Sequence, residues 1–191
     1  WVDVVEGVSL DVGRGETLAI IGESGSGKTS LIMALMGLVT ARRGDVRFNG
    51  EAVGRNVRGL LLPDRRRIAM MFQDPAGSLS PRMKVRSLLA EPYRIHPGVA
   101  EDPEAEVQRL LDLVGLSPEF ADRYAHQLSG GQARRIGVAR SLALHPELII
   151  ADEPTAGLDV SIQGDVLNLL SGLQERLGLA LIVITHNLNV V

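Results

Sequence analysis

Residues 22–29 read Gly-Glu-Ser-Gly-Ser-Gly-Lys-Thr, the spacing G-x-x-x-x-G-K-[ST]. The apolar run TLAII (17–21) precedes them and the helical pattern SLIMALMGL follows. The chemistry such a loop performs is phosphate capture. Gly22, Gly25 and Gly27 let the backbone curl until its N–H groups converge on phosphate oxygens. A helix opening at Lys28 points its positive dipole end at the same place. Lys28 adds a full charge for β- and γ-phosphates, and Thr29 offers a hydroxyl to Mg²⁺. Glu23, Ser24, Ser26 and Ser30 complete the loop and first turn and are read with it as nucleotide-binding. A chance match in a glycine-rich chain is the alternative, and the strand–loop–helix context argues against it.

A second site follows from LIIADEP (148–154), which sets two carboxylates at the end of an apolar strand. Ligands bind at strand C-terminal ends in open α/β sheets. Asp152 suits the holding of Mg²⁺ through its water shell. Glu153 can accept a proton from an attacking water. Alone, the pair could simply cap the next turn. Beside a phosphate loop it completes what phosphoryl transfer needs, a metal holder and a group that orients the nucleophile. No NKxD and no HRD…DFG set is present, so GTPases and kinases fit less well. LSGGQ (128–132) lies where a loop meets a helix opened by Gln132, Ala133 and Arg134. Ser129 and the N–H groups of Gly130 and Gly131 make a second phosphate-facing surface there; the plain alternative is a glycine turn.

The elements that must carry these residues are legible in hydrophobic runs. TLAII (17–21), IAMMF (68–72), LIIA (148–151) and ALIVI (180–184) are nearly continuous rather than alternating. That suits parallel strands buried on both faces. From Ser161 to Leu177 an apolar stripe recurs with helical period, and Gly178 stops it. Asp102 caps a helix with Pro103 at its first position and a stripe of Val107, Leu110, Leu111 and Val114. Further helices start at Lys28 and run from about 132 to 144. The spacing predicts an α/β fold with a parallel sheet. Residues from about 74 to 143 hold no convincing strand and read as an inserted helical subdomain. The expected division is 1–73, first part of the core; 74–143, the insert; 144–191, the rest of the core. The first ~20 residues and DVRFNG (45–50) read as a β-ribbon beside the sheet. Arg55, Arg58 and Arg65–Arg67 form a basic stretch, either a solvated edge or a partner contact.

Composition sets limits. The chain has 191 residues, 45% hydrophobic and 23% charged, as globular domains do. A net charge of −3 gives no basic excess for nucleic acid or anionic membrane. With no Cys, thiol catalysis and Cys-ligated metal are excluded within it. No apolar run is long enough to span a bilayer, and WVDVVEGVSL lacks the pattern of a signal peptide.

The ordered set GESGSGKT, FQDP, LSGGQ, LIIADEP, AGLD and THN resembles the ATP-binding-cassette ATPases over essentially the whole chain. The resemblance implies a P-loop NTPase, RecA-like core with an inserted α-helical signature subdomain. It implies that Gln73 is the hinge glutamine, contacting Mg²⁺ or the attacking water and linking insert to core. Asp159 becomes the aspartate of the loop that joins two nucleotide sites across a dimer. His186 becomes the switch histidine that senses the γ-phosphate. His96, His126 and His145 have no such placement and read as surface or structural. Trp1 is the only candidate to stack on adenine, the alternative being an ordinary N-terminal residue. MMFQDPAGSLSPRMKVRSLLAEP (70–92) and LDVSIQGDVLNLL (158–170) are similar to the oligopeptide, dipeptide and nickel importer branch. The chain departs from the family pattern at Asn187, where Asp is usual, at Ser80, and at Ala156–Gly157 before Leu158–Asp159. The family's domain continues well past His186, so truncation at the C-terminus is expected.

The resemblance implies an ATP-hydrolysing subunit of a transporter, probing no cargo itself, with ATP and Mg²⁺ as cofactors. Two cassettes, identical or paralogous, sandwich two ATPs head to tail. Transmembrane permease subunits and a substrate-binding protein complete the assembly, with this subunit peripheral on the cytoplasmic face of the cell membrane. The residues after Gln73, including Pro75, Leu79 and Pro81, are expected to form part of a groove for the permease. Two other readings stay open: a soluble cassette ATPase acting on nucleic acid or ribosomes, and a nucleotide-binding regulator without turnover. The first normally carries long insertions. The second does not need Lys28, Gln73, Asp152, Glu153 and His186 together.

Overall fold

The computed structural model describes residues 4–39, 42–52, 55–56, 59–60, 62–72 and 77–187. Four parallel strands form the central sheet: β1 (Thr17–Ile21), β6 (Ile68–Met71), β7 (Leu148–Asp152) and β8 (Ala180–Thr185). Their order is β1-β8-β7-β6, so the last strand in sequence lies between the first and third. All four expected runs are strands in this sheet. Every residue of β8 is buried, which explains its unbroken apolar sequence.

Alternate side chains build two cores, as a two-residue pleat requires. Ile68, Ile150, Ile182 and Ile184 pack on one face against Ile32 of α1 (Lys28–Leu35). Ile149, Ala151, Leu181 and Val183 pack on the other, against Val166, Leu170 and Leu173 of α6 (Val160–Leu177). Gly178 ends α6 with φ 64°, the left-handed cap its sequence announced.

Between β6 and β7 the described residues are helical. They comprise α3 (Val85–Ile95), α4 (Pro103–Leu113), two short 3₁₀ turns (Pro118–Asp122 and Ala125–Gln127) and α5 (Gly130–Ser141). Asp102 Oδ1 accepts from the N–H groups of Glu104 and Ala105 at 2.9 and 3.1 Å, capping α4 as expected. Val85, Leu88, Leu110, Leu111 and Ile136 fill the space between these helices. That core runs into the sheet face under α6, so the insert rests directly on the sheet. Leu79 is 6% exposed and belongs to this core, so it is not offered to a partner. Pro75 lies outside the described residues.

The ribbon is smaller than the sequence suggests. Among the described residues, β2 (Arg47–Phe48) pairs only with β3 (Glu51–Ala52), and β4 (Arg55–Asn56) only with β5 (Gly59–Leu60). Residues 4–16 carry no strand, contrary to expectation. The two-residue strands satisfy one another, and the stretch turns instead at Gly13–Glu16, where Glu16 Oε2 accepts from Gly13 N–H at 2.7 Å. Val8, Leu10 and Val12 line a cavity of about 700 Å³ beneath α1 and the hairpin.

One carboxylate ties these pieces at the far end of the sheet. Glu147, just before β7, accepts from Arg67 Nε at 2.7 Å, Asn49 Nδ2 at 3.0 Å and Arg14 Nη2 at 3.1 Å. The Arg67 guanidinium also lies 4.6 Å from the centroid of the Phe48 ring. Arg67, which ends α2 (Leu62–Arg67), is therefore a structural fastener rather than a solvated edge or a partner contact. The Arg67 and Asn49 hydrogen bonds hold the Glu147 carboxyl below the usual carboxylate range.

Candidate active site

The C-terminal ends of β1, β7 and β8 lie side by side, and the loops leaving them carry the reactive residues. Gly22 N–H continues the ladder beyond β1, donating to Thr185 O at 3.3 Å. The chain then doubles back, with Ser26 N–H donating to Glu23 O at 3.2 Å. Gly25 (φ 83°) and Gly27 (φ 91°) hold the left-handed backbone this needs. At Gly27 a Cβ would also stand 3.0 Å from Val4 O, so space as well as conformation demands glycine.

The loop wraps the Lys28 ammonium. Nζ donates to Gly22 O and Glu23 O, both at 2.7 Å, and lies 3.4 Å from Ser26 Oγ. α1 begins here with no side-chain cap and no acidic residue in its first turn. Its leading N–H groups thus stay positive and unmasked. Glu23, Ser24, Ser30 and Thr29 are exposed around this mouth.

Thr29 Oγ1 donates to Asp152 Oδ2 at 3.3 Å, which brings the phosphate loop onto the end of β7. Burial pushes the Asp152 carboxyl above its usual range, the Thr29 hydroxyl opposes this, the Glu153 charge adds to it, and Lys28 counters it. Glu153 comes next with φ 47°, a left-handed conformation uncommon for a non-glycine residue. Its N–H donates to Ile184 O at 2.9 Å, and its Oε1 lies 2.9 Å from His186 Nδ1. The Glu153 side chain is 22% exposed and that of His186 57%. A partly sheltered carboxylate therefore faces solvent through a histidine.

Other expected site residues lie on separate elements. Ser129 is the N-cap of α5, its Oγ accepting from Gln132 N–H at 3.3 Å. Gln132 Oε1 in turn accepts from Ser129 N–H at 3.0 Å, a reciprocal capping box. Gly130 and Gly131 fill the first turn, two residues earlier than the expected helix start, because the serine caps it there. Asp159 is exposed at the N-cap of α6, and its side chain makes no capping bond. Gln73 and Trp1 fall outside the described residues. Of the other histidines, His126 Nδ1 lies 2.8 Å from Pro81 O and its ring stacks on Tyr124. His145 Nε2 lies 3.4 Å from Glu106.

Two residues that sequence reasoning did not single out sit beside the Glu153–His186 pair. Thr185, 3% exposed, accepts from Asn187 N–H at 3.0 Å through Oγ1. Gln163 and Thr185 help to line a small pocket of about 90 Å³ together with Glu153 and His186. A buried threonine ending an apolar strand was the only visible signal. Gln163 sits in the polar half of a helical stripe and gave none.

The donor set suits Mg²⁺, a hard cation that binds oxygen. The Thr29 hydroxyl and the Asp152 carboxylate are already in contact, and burial leaves that carboxylate short of counter-charge. No cluster of three or more His, Asp or Glu residues able to hold a metal by itself occurs among the described residues.

Comparison with known proteins agrees with this geometry. Residues 5–156 match a family profile described as ABC transporter. The chain is 48% identical, over its whole length, to the oligopeptide transport ATP-binding protein OppF of Bacillus subtilis, covering 63% of that protein. It is also 48% identical throughout to the glutathione import ATP-binding protein GsiA of Escherichia coli, covering 31%. The chain thus spans less than two thirds of these curated relatives. Among solved structures, cbiO1 of Clostridium perfringens, part of the cbiONQ ABC transporter complex, superposes with a TM-score of 0.88. It is 30% identical, with 98% of this chain and 74% of that one covered. The ATP-binding cassette MJ0796, a dimer bound to ADP and Pi, superposes with a TM-score of 0.77 at 29% identity, covering 98% and 82%.

Proposed function

Because the chain belongs to the ABC transporter family, we propose that it forms the ATP-hydrolysing part of a peptide importer's nucleotide-binding subunit. The observation that carries this reading is the convergence on one sheet edge of the Lys28 cradle, the Thr29–Asp152 contact and the Glu153–His186 pair. The importer branch rests on the near-50% identity to OppF and GsiA, whose names specify oligopeptide and glutathione. No observation favours action on nucleic acid, and the net charge of −3 speaks against it.

The residues divide the work. Backbone N–H groups of residues 25–29 and the start of α1 hold the phosphates of ATP. The Lys28 ammonium exchanges the carbonyls of Gly22 and Glu23 for β- and γ-phosphate oxygens. Thr29 and Asp152 would hold Mg²⁺, with Gln73 assigned to the ion or to the attacking water, and the ion would supply positive charge to the phosphates. Glu153 takes the proton of the attacking water. His186 orients that carboxylate through Nδ1 and meets the γ-phosphate. Trp1 remains the candidate to stack on adenine, the alternative being an ordinary N-terminal residue. Ser129, Gly130, Gly131 and Gln132 close on the ATP of a second cassette, and Asp159 links the two sites.

We assign residues 1–73 and 144–191 to the nucleotide core and 74–143 to the signature insert. A second cassette, permease subunits and a substrate-binding protein complete the assembly on the cytoplasmic face of the membrane. No helix among the described residues is long and apolar enough to cross a bilayer. The test is reconstitution of the full-length protein with its permease in vesicles. Mg²⁺-dependent ATP hydrolysis coupled to uptake of a labelled peptide is expected. Hydrolysis without peptide uptake would overturn the importer assignment, and no hydrolysis would overturn the ATPase assignment.

A further inference from the structure

We propose that Gln163 is a positioning residue of the hydrolytic site, holding the Asp159 loop in register with the Glu153–His186 pair. The inference rests on the ATPase reading above. Asp159 begins α6 but its own side chain does not cap the helix. The loop before it must be held by something else. Gln163 supplies that hold twice. Its backbone N–H donates to Asp159 O at 3.0 Å, as an ordinary first-turn bond. Its side-chain Nε2 donates to Leu158 O at 2.9 Å, reaching back across the turn to a carbonyl that precedes the helix.

Gln163 also lines the 90 Å³ pocket, together with Glu153, Thr185, His186 and Asn187. The segment between is a chain of short turns. Ala156 N–H donates to Glu153 O at 3.0 Å, and Leu158 N–H to Thr155 O at 3.3 Å. Thr155, 5% exposed, and Pro154 anchor its middle. Gly157 in this segment is exposed with φ 71°. Two turn hydrogen bonds connect Leu158 to Glu153, which itself holds a left-handed backbone. The Gln163 amide thus ties the far end of the loop to the first turn of α6, beside the pocket that Glu153 and His186 line.

The variant that isolates the amide is Gln163→Met, which keeps length and helix propensity and removes the donor. Gln163→Ala repeats the test should methionine pack badly. Both are made in the full-length protein assembled with its partners, with Glu153→Gln alongside. We expect kcat to fall about tenfold or more, the scale of a misplaced but intact catalytic group. KM for ATP, affinity for a fluorescent ATP analogue and Tm should stay near wild type. Unchanged kcat in both variants would overturn the proposal. So would a loss of kcat that merely tracks lost ATP affinity and Tm, since that marks a structural role only. If Glu153→Gln still hydrolyses ATP normally, the hydrolytic reading fails and this inference falls with it. Normal Gln163 variants beside an inactive Glu153→Gln would reject the inference alone.

Discussion

Thr29 Oγ1 and Asp152 Oδ2 are 3.3 Å apart across 123 residues of sequence. That contact is what turns two separate motifs into one site. It exists because β1 and β7 flank β8 in the sheet, so the loops leaving β1 and β7 open on the same edge. Phosphoryl chemistry needs both loops, the one proposed to hold phosphate and the other with its two carboxylates.

The Glu153 carboxylate is predicted to be the proton acceptor. Glu153→Gln keeps the shape and the left-handed turn, so ATP binding should persist while turnover falls at least ~10²-fold. His186→Ala removes the partner at Nδ1 and should also lower kcat strongly with a smaller effect on nucleotide affinity. Steady-state hydrolysis and equilibrium binding of labelled ATP in the full-length protein check both. Near-normal turnover of Glu153→Gln would remove this residue from the mechanism.

Lys28 is predicted to act on a different step, its ammonium exchanging the loop carbonyls that now hold it for phosphate oxygens. Lys28→Ala should weaken ATP affinity, where Glu153→Gln should not. Gly27→Ala should do the same for a backbone reason, because φ 91° is strained for alanine and its Cβ would meet Val4 O at 3.0 Å. Equilibrium dialysis separates the classes, and wild-type affinity in both variants would refute the phosphate-loop assignment.

Ser129 caps a helix of the insert, whereas Lys28 opens α1, after the first strand of the core sheet. Each complete site is predicted to combine Lys28 of one subunit with Ser129 of the other. The measurement is a mixed pair with Lys28→Ala in one subunit, Ser129→Arg in the other, and Glu153→Gln in both to block hydrolysis. If sites are shared, one collects both defects and the other traps ATP. An assembled pair that traps none would reject the shared geometry. Where the native partner is a paralogue, the second change goes at its equivalent position.

Glu147 gives a pH-dependent prediction. Its hydrogen bonds to Arg67 and Asn49 hold its folded pKa below the ordinary value. A depressed carboxylate contributes stability above its unfolded pKa and loses it as pH falls through the folded one. The group is over a third exposed, so the effect is modest. Glu147→Gln should lower Tm by about 1–3 °C at pH 7. That difference should shrink as pH falls below the unfolded value of about 4.3 and vanish below the folded pKa, where both states are protonated. Calorimetry across pH measures it, and a constant difference would show that the loss is not electrostatic.

Much was determined by sequence because it was local. The phosphate loop needs glycines at set positions beside a lysine, and no fold is required to see them. The four buried strands announced themselves as unbroken apolar runs, since both faces of each are covered. Asp102 and Gly178 marked helix ends through the conformations only such residues favour. The order of the strands was not legible, because a continuous run carries no record of its neighbours. Tertiary structure alone decided that β8 lies between β1 and β7, and so placed His186 against Glu153. It also decided that residues 4–16 form no strand, a matter of which edges were free to pair. Arg67 shows the same limit. Read along the chain it is one charge in a basic run, and only folding brings it to Glu147 and Phe48. Gln163 is the furthest case, an ordinary polar position on a helix whose meaning depends on a carbonyl five residues back and a pocket built by another strand. Contacts between distant segments follow from the packing of whole elements, and pattern within one element does not contain them.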